Sequence, residues 1–261
     1  MLKSLLLFLP VICFGSQEGN LSVPGATQPT PLVSFGQLIY EKGMVFGNLS
    51  ATYKDLPNGY SSSISPLITY GVLDNFSISL FTPVSPQLKS LSHHSSGIQD
   101  LILQLEYAYY QPSFTDANLQ GTIVVNTTFP TGSSSKNPPT GTGCFTYFVG
   151  TTFSYMSPNW YAFISPGAQL RKQSSLNSYL YQWGFSRYIG FLSPKNWIFD
   201  LMLEFDGTYI PSTGNLLTAT PSIWLSSDRI TLQFGSGVPL IRQKGMMNYA
   251  LYFSVGGVIK F

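Results

Sequence analysis

Asn248–Phe261 reads N-Y-A-L-Y-F-S-V-G-G-V-I-K-F. Counted back by twos, one parity carries Phe261, Ile259, Gly257, Val255, Phe253, Leu251 and Tyr249. The other carries Lys260, Val258, Gly256, Ser254, Tyr252, Ala250 and Asn248. One parity is apolar and the other mixed and small, so the period is two and the element is a strand. Fourteen residues is long beside the five or six or so of ordinary strands. It suits a tilted strand crossing a bilayer, which needs about nine to eleven. An apolar strand in lipid cannot leave its edge open, so it implies a closed barrel.

The composition agrees. Of 261 residues, 9% are charged and 15% aromatic, where soluble domains are roughly a quarter charged. A barrel facing lipid has no need of a charged exterior. Met1–Gly15 reads as a secretory signal: Lys3 gives the positive start, Leu5–Phe14 the apolar run, and cleavage is expected before Ser16. Cys13 raises a lipoprotein signal as an alternative, although Pro10-Val11-Ile12 lacks the small residue expected before it. Cys144 is the remaining thiol, so an intramolecular disulfide is excluded. After residue 15 no uninterrupted apolar run reaches eighteen residues, and no transmembrane helix is expected. No basic patch supports nucleic-acid binding.

Residues 16–43, rich in Pro, Gly, Ser and Gln, read as a periplasmic lead-in, with a short strand or plug over Leu32–Tyr40 as the alternative. Residues 44–261 then alternate as twelve strands of an all-β, closed antiparallel transmembrane barrel. These cover Met44–Lys54, Ser61–Val72, a third led by Phe76, Ile78 and Leu80, Asp100–Tyr110, Leu119–Phe129 and Cys144–Tyr155. Trp160–Leu170, Tyr179–Phe191, Trp197–Tyr209, Leu216–Leu225, Arg229–Pro239 and Asn248–Phe261 complete the set. Thr82–Gln99 and Pro130–Gly143 are expected as the longest, polar loops. Short connections fall after strands 2, 6, 8 and 10, as a periplasmic N-terminus demands, with Gln111–Asn118 long for a turn, and aromatics gather at both strand ends. Pro66, Pro166 and Pro221 interrupt strand patterns and imply bulges or bends.

Trp197–Tyr209 is the most amphipathic strand, with Asp200, Glu204 and Asp206 on its inward parity; Glu106 on Asp100–Tyr110 also points inward. A polar lining satisfied by water is one outcome, and a weak cation preference or a solute-orienting patch the other. Arg187 shares the outward parity of Trp183 and Phe185. It either snorkels to the interface or is rotated inward toward Asp200 by a bulge. His93-His94-Ser95-Ser96 is the one catalytic-looking cluster, with a rim lipid hydrolase as the activity it would carry. It lacks the Asn of such motifs and a carboxylate partner, so a solvated loop is expected and enzymatic activity is not. No cofactor or metal set is visible.

Ser254, Gly256, Ile259 and Phe261 resemble the C-terminal assembly signal of bacterial outer-membrane barrels, which implies the barrel assembly machinery and outer-membrane lipids as partners. Leu67-Ile68-Thr69-Tyr70-Gly71-Val72-Leu73-Asp74-Asn75 resembles the "RYG-x-x-D" turn of the outer-membrane proteins named for the meta-pathway of phenol degradation (MetA-type). Ser96–Leu101 is similar to their "G-x-G-D-L", and Phe129–Gly132 with Thr140–Gly143 to their P-T-G and T-G-x-G loop. Thr69 stands for the usual Arg, and Gln99 for the second Gly. The resemblance implies a channel or uptake role for small, apolar or aromatic solutes; a barrel without a conduit, presenting loops to outside partners, is the other alternative. Mass spectrometry of the mature protein is expected to find Ser16 at the N-terminus; an acylated Cys13 would overturn the cleavage expected here.

Overall fold

In the computed structural model, the described residues are 31–261 apart from 37, 113, 172–176, 193–196, 228–229, 242–246 and 261. The expected signal at 1–15, the Ser193–Asn196 turn and Phe261 therefore lie outside the described residues, as does the side chain of Ile259. Each alternating stretch forms a strand: β1 (Met44–Leu56), β2 (Gly59–Leu73), β3 (Phe76–Phe81), β4 (Val84–Ser90), β5 (His93–Ile98), β6 (Leu101–Tyr110) and β7 (Asn118–Phe129). After them come β8 (Thr146–Met156), β9 (Trp160–Arg171), β10 (Ser178–Tyr188), β11 (Ile198–Ile210), β12 (Gly214–Ser226), β13 (Ile230–Ile241) and β14 (Tyr249–Lys260). All pairings are antiparallel, and β1 bonds both β2 and β14, which closes the sheet. Twelve strands, β1–β3 and β6–β14, make the wall. On β14, Leu251 is half exposed and Ala250 fully buried, so the apolar parity faces lipid.

Thr82–Gln99, expected as a loop, is instead the hairpin β4–β5. β3 leaves β2 at Phe81, and β4 resumes along its upper half, from Ile64↔Val84 to Gly59↔Ser90. Pro66 lies at this break. Its carbonyl accepts from the Thr82 N–H, and in an antiparallel strand its missing N–H faces the same neighbour. The hairpin stands beyond the apolar belt, so nothing required its strands to alternate with apolar residues. That is why its polar sequence resembled a loop.

The other two prolines interrupt ladders without moving them. Between β12 and β13 the pairs Ala219↔Val238 and Ser222↔Gly235 keep one register across Pro221. Gly150↔Gly167 and Phe153↔Ile164 do so across Pro166. The register shift in β12 lies at Leu217/Thr218 instead. Both prolines point outward, so each ladder loses local bonds while every side chain keeps its face. Arg187 points outward too, cross-strand from Trp160, with its guanidinium 4.4 Å from the indole centroid. A cation on an aromatic face near a turn is the low-cost placement for a lipid-side Arg. β10 ends at Tyr188, earlier than the expected Phe191, and Gly190–Leu192 forms a single 3-10 turn.

Residues 130–143 do form a long loop, and it is held down. The buried Asp100 carboxylate accepts from the Gly132 N–H at 3.0 Å and the Thr142 N–H at 2.7 Å. Lys136 Nζ donates to the Ser96 carbonyl at 2.5 Å, and the Ser95 hydroxyl donates to that of Pro138 at 2.6 Å. The loop thus caps the edge of β5 that no strand covers. Hydrogen bonds to a charged group are worth about 1.5–3 kcal/mol each. Asp100→Asn is therefore expected to leave the barrel folded but make residues 130–143 the first site of limited proteolysis; an unchanged cleavage pattern would contradict the clamp.

Candidate functional site

A barrel wall presents every second residue to its lumen. Here those residues form small apolar clusters low in the barrel and polar groups above. Tyr161, Phe163 and Met202 pack together, as do Tyr188, Ile198 and Trp224. A third cluster joins Met44, Phe46 and Leu67 to Tyr40, which does not belong to the wall. Residues 31–36 and 38–43, read from the sequence as a periplasmic lead-in with a strand or plug over Leu32–Tyr40 as the alternative, run inside the barrel as a strap. They cross the lumen from the β10–β11 wall to the β2–β3 turn.

The strap has no strand to pair with, so its backbone donors must find side chains. Glu204 on β11 takes three of them. Its carboxylate accepts from the N–H groups of Leu32 (2.6 Å), Val33 (3.2 Å) and Ser34 (3.2 Å), and from the Ser34 hydroxyl (3.1 Å). Further along, the Phe35 N–H donates to Gln182 Oε1 (3.0 Å) and the Leu38 N–H to Glu106 Oε2 (3.1 Å). The Tyr40 N–H then donates to Ser77 Oγ (3.0 Å), and the Lys42 N–H to Asp74 Oδ1 (2.9 Å). Packing adds to this: Phe35 meets Phe148 edge-on at 4.5 Å, and Tyr40 stacks on Phe46 at 5.0 Å.

Two glycines make the path passable. Gly36 has φ of 90°, and a Cβ there would fall 2.4 Å from Thr152 Oγ1. Gly71 lies under the strap, where a Cβ would meet the Glu41 carbonyl oxygen at 2.1 Å; its own carbonyl accepts from the Gly43 N–H. The Tyr70-Gly71…Asp74 turn singled out in the sequence is therefore the anchor of the strap, with Gly71 as clearance and Asp74 as acceptor.

Above the strap an external cup of about 410 Å³ remains. Leu32 and Val33 form its floor, and Lys54, Asp206, Thr218 and Tyr252 are among its walls. Asp206 accepts from Gln182 Nε2 at 2.6 Å, so Gln182 ties the cup to the strap.

Four inward carboxylates were expected to face solute. Glu106, Asp200 and Glu204 are all 0% exposed; Glu106 and Glu204 bind strap amides, and Asp206 borders the cup. The strap contacts of Ser34, Asp74, Ser77 and Gln182 were not foreseen. Only Asp74 had a signal, its place in the turn motif. Of the assembly-signal residues, Ser254 faces inward and accepts from Asn48 Nδ2 at 2.7 Å, and Gly256 leaves room beside Phe46. His93 and His94 lie on opposite faces of β5, cross-strand from Ser90 and Lys89, and the Ser95 hydroxyl is spent on Pro138.

Neither a family model nor a curated protein sequence matches the chain, so the motif resemblance to the meta-pathway proteins stands on its residues alone. Among solved structures, the fold is similar to an outer-membrane channel from Pseudomonas putida F1, with a TM-score of 0.64 and 14% identity over 87% of this chain and 100% of that one. It is also similar to the NanC porin, with a TM-score of 0.50 and 10% identity over 82% of this chain and 99% of that one. At such identities the likeness is one of fold: the chain is a closed β-barrel of the outer-membrane type, with porin-like architecture.

Proposed function

We propose that the barrel is a passive outer-membrane conduit for small solutes, with residues 31–43 as its gate. The observation that carries this reading is how unlike the strap and the wall are in their bonding. The wall is a continuous ladder that cannot open without losing many backbone bonds at once in lipid. The strap is held by side-chain acceptors, chiefly one carboxylate, and can leave without disturbing that ladder. The external cup is where a solute would wait. Its apolar floor and its Lys54, Asp206 and Tyr252 walls suit a small molecule with an apolar body and a polar group. Once the strap moves, Glu106, Asp200 and Glu204 would face water and favour cations weakly, as acidic rings do in channels.

Hydrogen exchange tests the latch. Glu204→Gln turns half of a double acceptor into a donor facing other donors. Exchange of the amides at residues 32–34 is expected to accelerate about tenfold or more, from bonds of about 1.5–3 kcal/mol each, while wall amides keep their protection. Unchanged protection at 32–34 would sink the latch.

Planar-bilayer recording tests the conduit. The parent is expected to open rarely, and Glu204→Gln or deletion of residues 31–42 to raise open time or conductance. Heat-modifiability would verify folding of each form. Under a salt gradient the deleted form is expected to prefer cations. Silence from all three folded forms would refute conduction, and anion preference in the deleted form would refute the role given to the carboxylates.

A further inference from the structure

The lipid-facing surface is not uniform. On the outside of β11–β14, β1 and β2 lies a groove of about 1040 Å³. Leu201, Ile223, Phe234 and Leu251, each 40–50% exposed, stand along it, while the small Ala51 and Ser236 leave room between them. Inward neighbours such as Met202, 3% exposed, reach it only through the backbone. The space is therefore outside the wall and distinct from the lumen.

Its upper end has a different chemistry. Outward residues there are Tyr53, Tyr60 and Tyr249, with ring centroids 6.0 Å (Tyr53–Tyr60) and 6.3 Å (Tyr53–Tyr249) apart. Gln87 of β4 closes the groove and accepts from the Tyr60 hydroxyl at 3.3 Å. Two residues beyond Gln87, about 7 Å along the strand, Lys89 lies cross-strand from Tyr60 on one side and His94 on the other. Cross-strand partners share a face, so Lys89 and His94 stand outside, above the groove. Asp55, also cross-strand from Tyr60, has its carboxylate engaged by Asn248 Nδ2 at 2.8 Å.

An apolar groove in the hydrocarbon belt, a tyrosine collar and then basic side chains follow the order of an acylated lipid from chain to charged head. The basic end is at the external rim, which selects the outer leaflet. We infer that this face is a binding site for a phosphorylated, acylated glycolipid of that leaflet, with an acyl chain in the groove and a phosphate on Lys89 and His94.

Native mass spectrometry of the detergent-purified full chain tests this, with a hexa-acylated, bisphosphorylated glucosamine disaccharide as probe and its dephosphorylated form as comparison. The phosphorylated probe is expected to be retained more strongly, with Lys89→Gln and His94→Gln each weakening it roughly fivefold. Ser236→Trp, which fills the groove, is expected to weaken both probes, and heat-modifiability would verify that each variant is folded. Equal retention of the two probes would overturn the headgroup site. Indifference to Ser236→Trp would overturn the groove, and a dimer in place of bound lipid would assign the face to a second copy.

Discussion

The interior of this barrel depends on a backbone that has no strand to pair with. Residues 31–36 and 38–43 run through a space closed to bulk water on most sides, and their buried N–H groups must be satisfied there. The wall has committed most of its own carbonyls to the ladder, so apart from that of Gly71, which takes the Gly43 N–H, the acceptors come from side chains. A carboxylate answers this best, because its two oxygens accept several donors at once. Glu204 takes three amides and a hydroxyl. In turn, those donors replace the water that a buried carboxylate loses, and hydrogen bonds to an ionised acceptor are about twice as strong as neutral ones. Strap and carboxylate thus each offset part of the burial cost of the other.

The same device recurs at the other places where irregular chain meets the barrel. Asp74 receives the Lys42 amide of the strap, and Asp100 receives two amides of the 130–143 loop. The short glycine-and-aspartate motifs in the sequence acquire a common physical meaning. Glycine lets a crossing segment approach, and aspartate accepts the N–H groups that the crossing segment brings.

The wall was legible because lipid imposes a period on it. An outward residue must be apolar, so alternation persists even through Pro166 and Pro221, where the ladder is interrupted but the faces are kept. Above the lipid that pressure ends, and β4–β5 became invisible: His93, His94, Ser95 and Ser96 satisfy a strand without advertising one. The carboxylates were legible as inward-facing, but their partners were not. Amide N–H groups have no sequence signature, and Leu32, Val33 and Ser34 look no different from a solvated linker. A Pro- and Gly-rich stretch before the first strand reads as lead-in whether it lies in water or crosses a lumen.

The contrast between strap and wall also decides where change can occur. Opening a seam in the wall would expose a row of strand edges to hydrocarbon, at several kcal/mol for each unsatisfied group. Moving the strap exchanges its side-chain acceptors for water in the lumen, at about 0.5–1.5 kcal/mol for each neutral hydrogen bond and about 1.5–3 kcal/mol for each bond to a carboxylate. Glu204, released, would regain hydration in place of its donors. The apolar anchors Phe35 and Tyr40 are the part of the strap that water does not compensate, since their burial against Phe148 and Phe46 has no aqueous substitute. On the proposed gating, lumen opening would therefore depend on two aromatic contacts as well as on the carboxylate. On that same proposal, a solute with an apolar body arriving through the cup would be the kind of molecule to take the place of those rings.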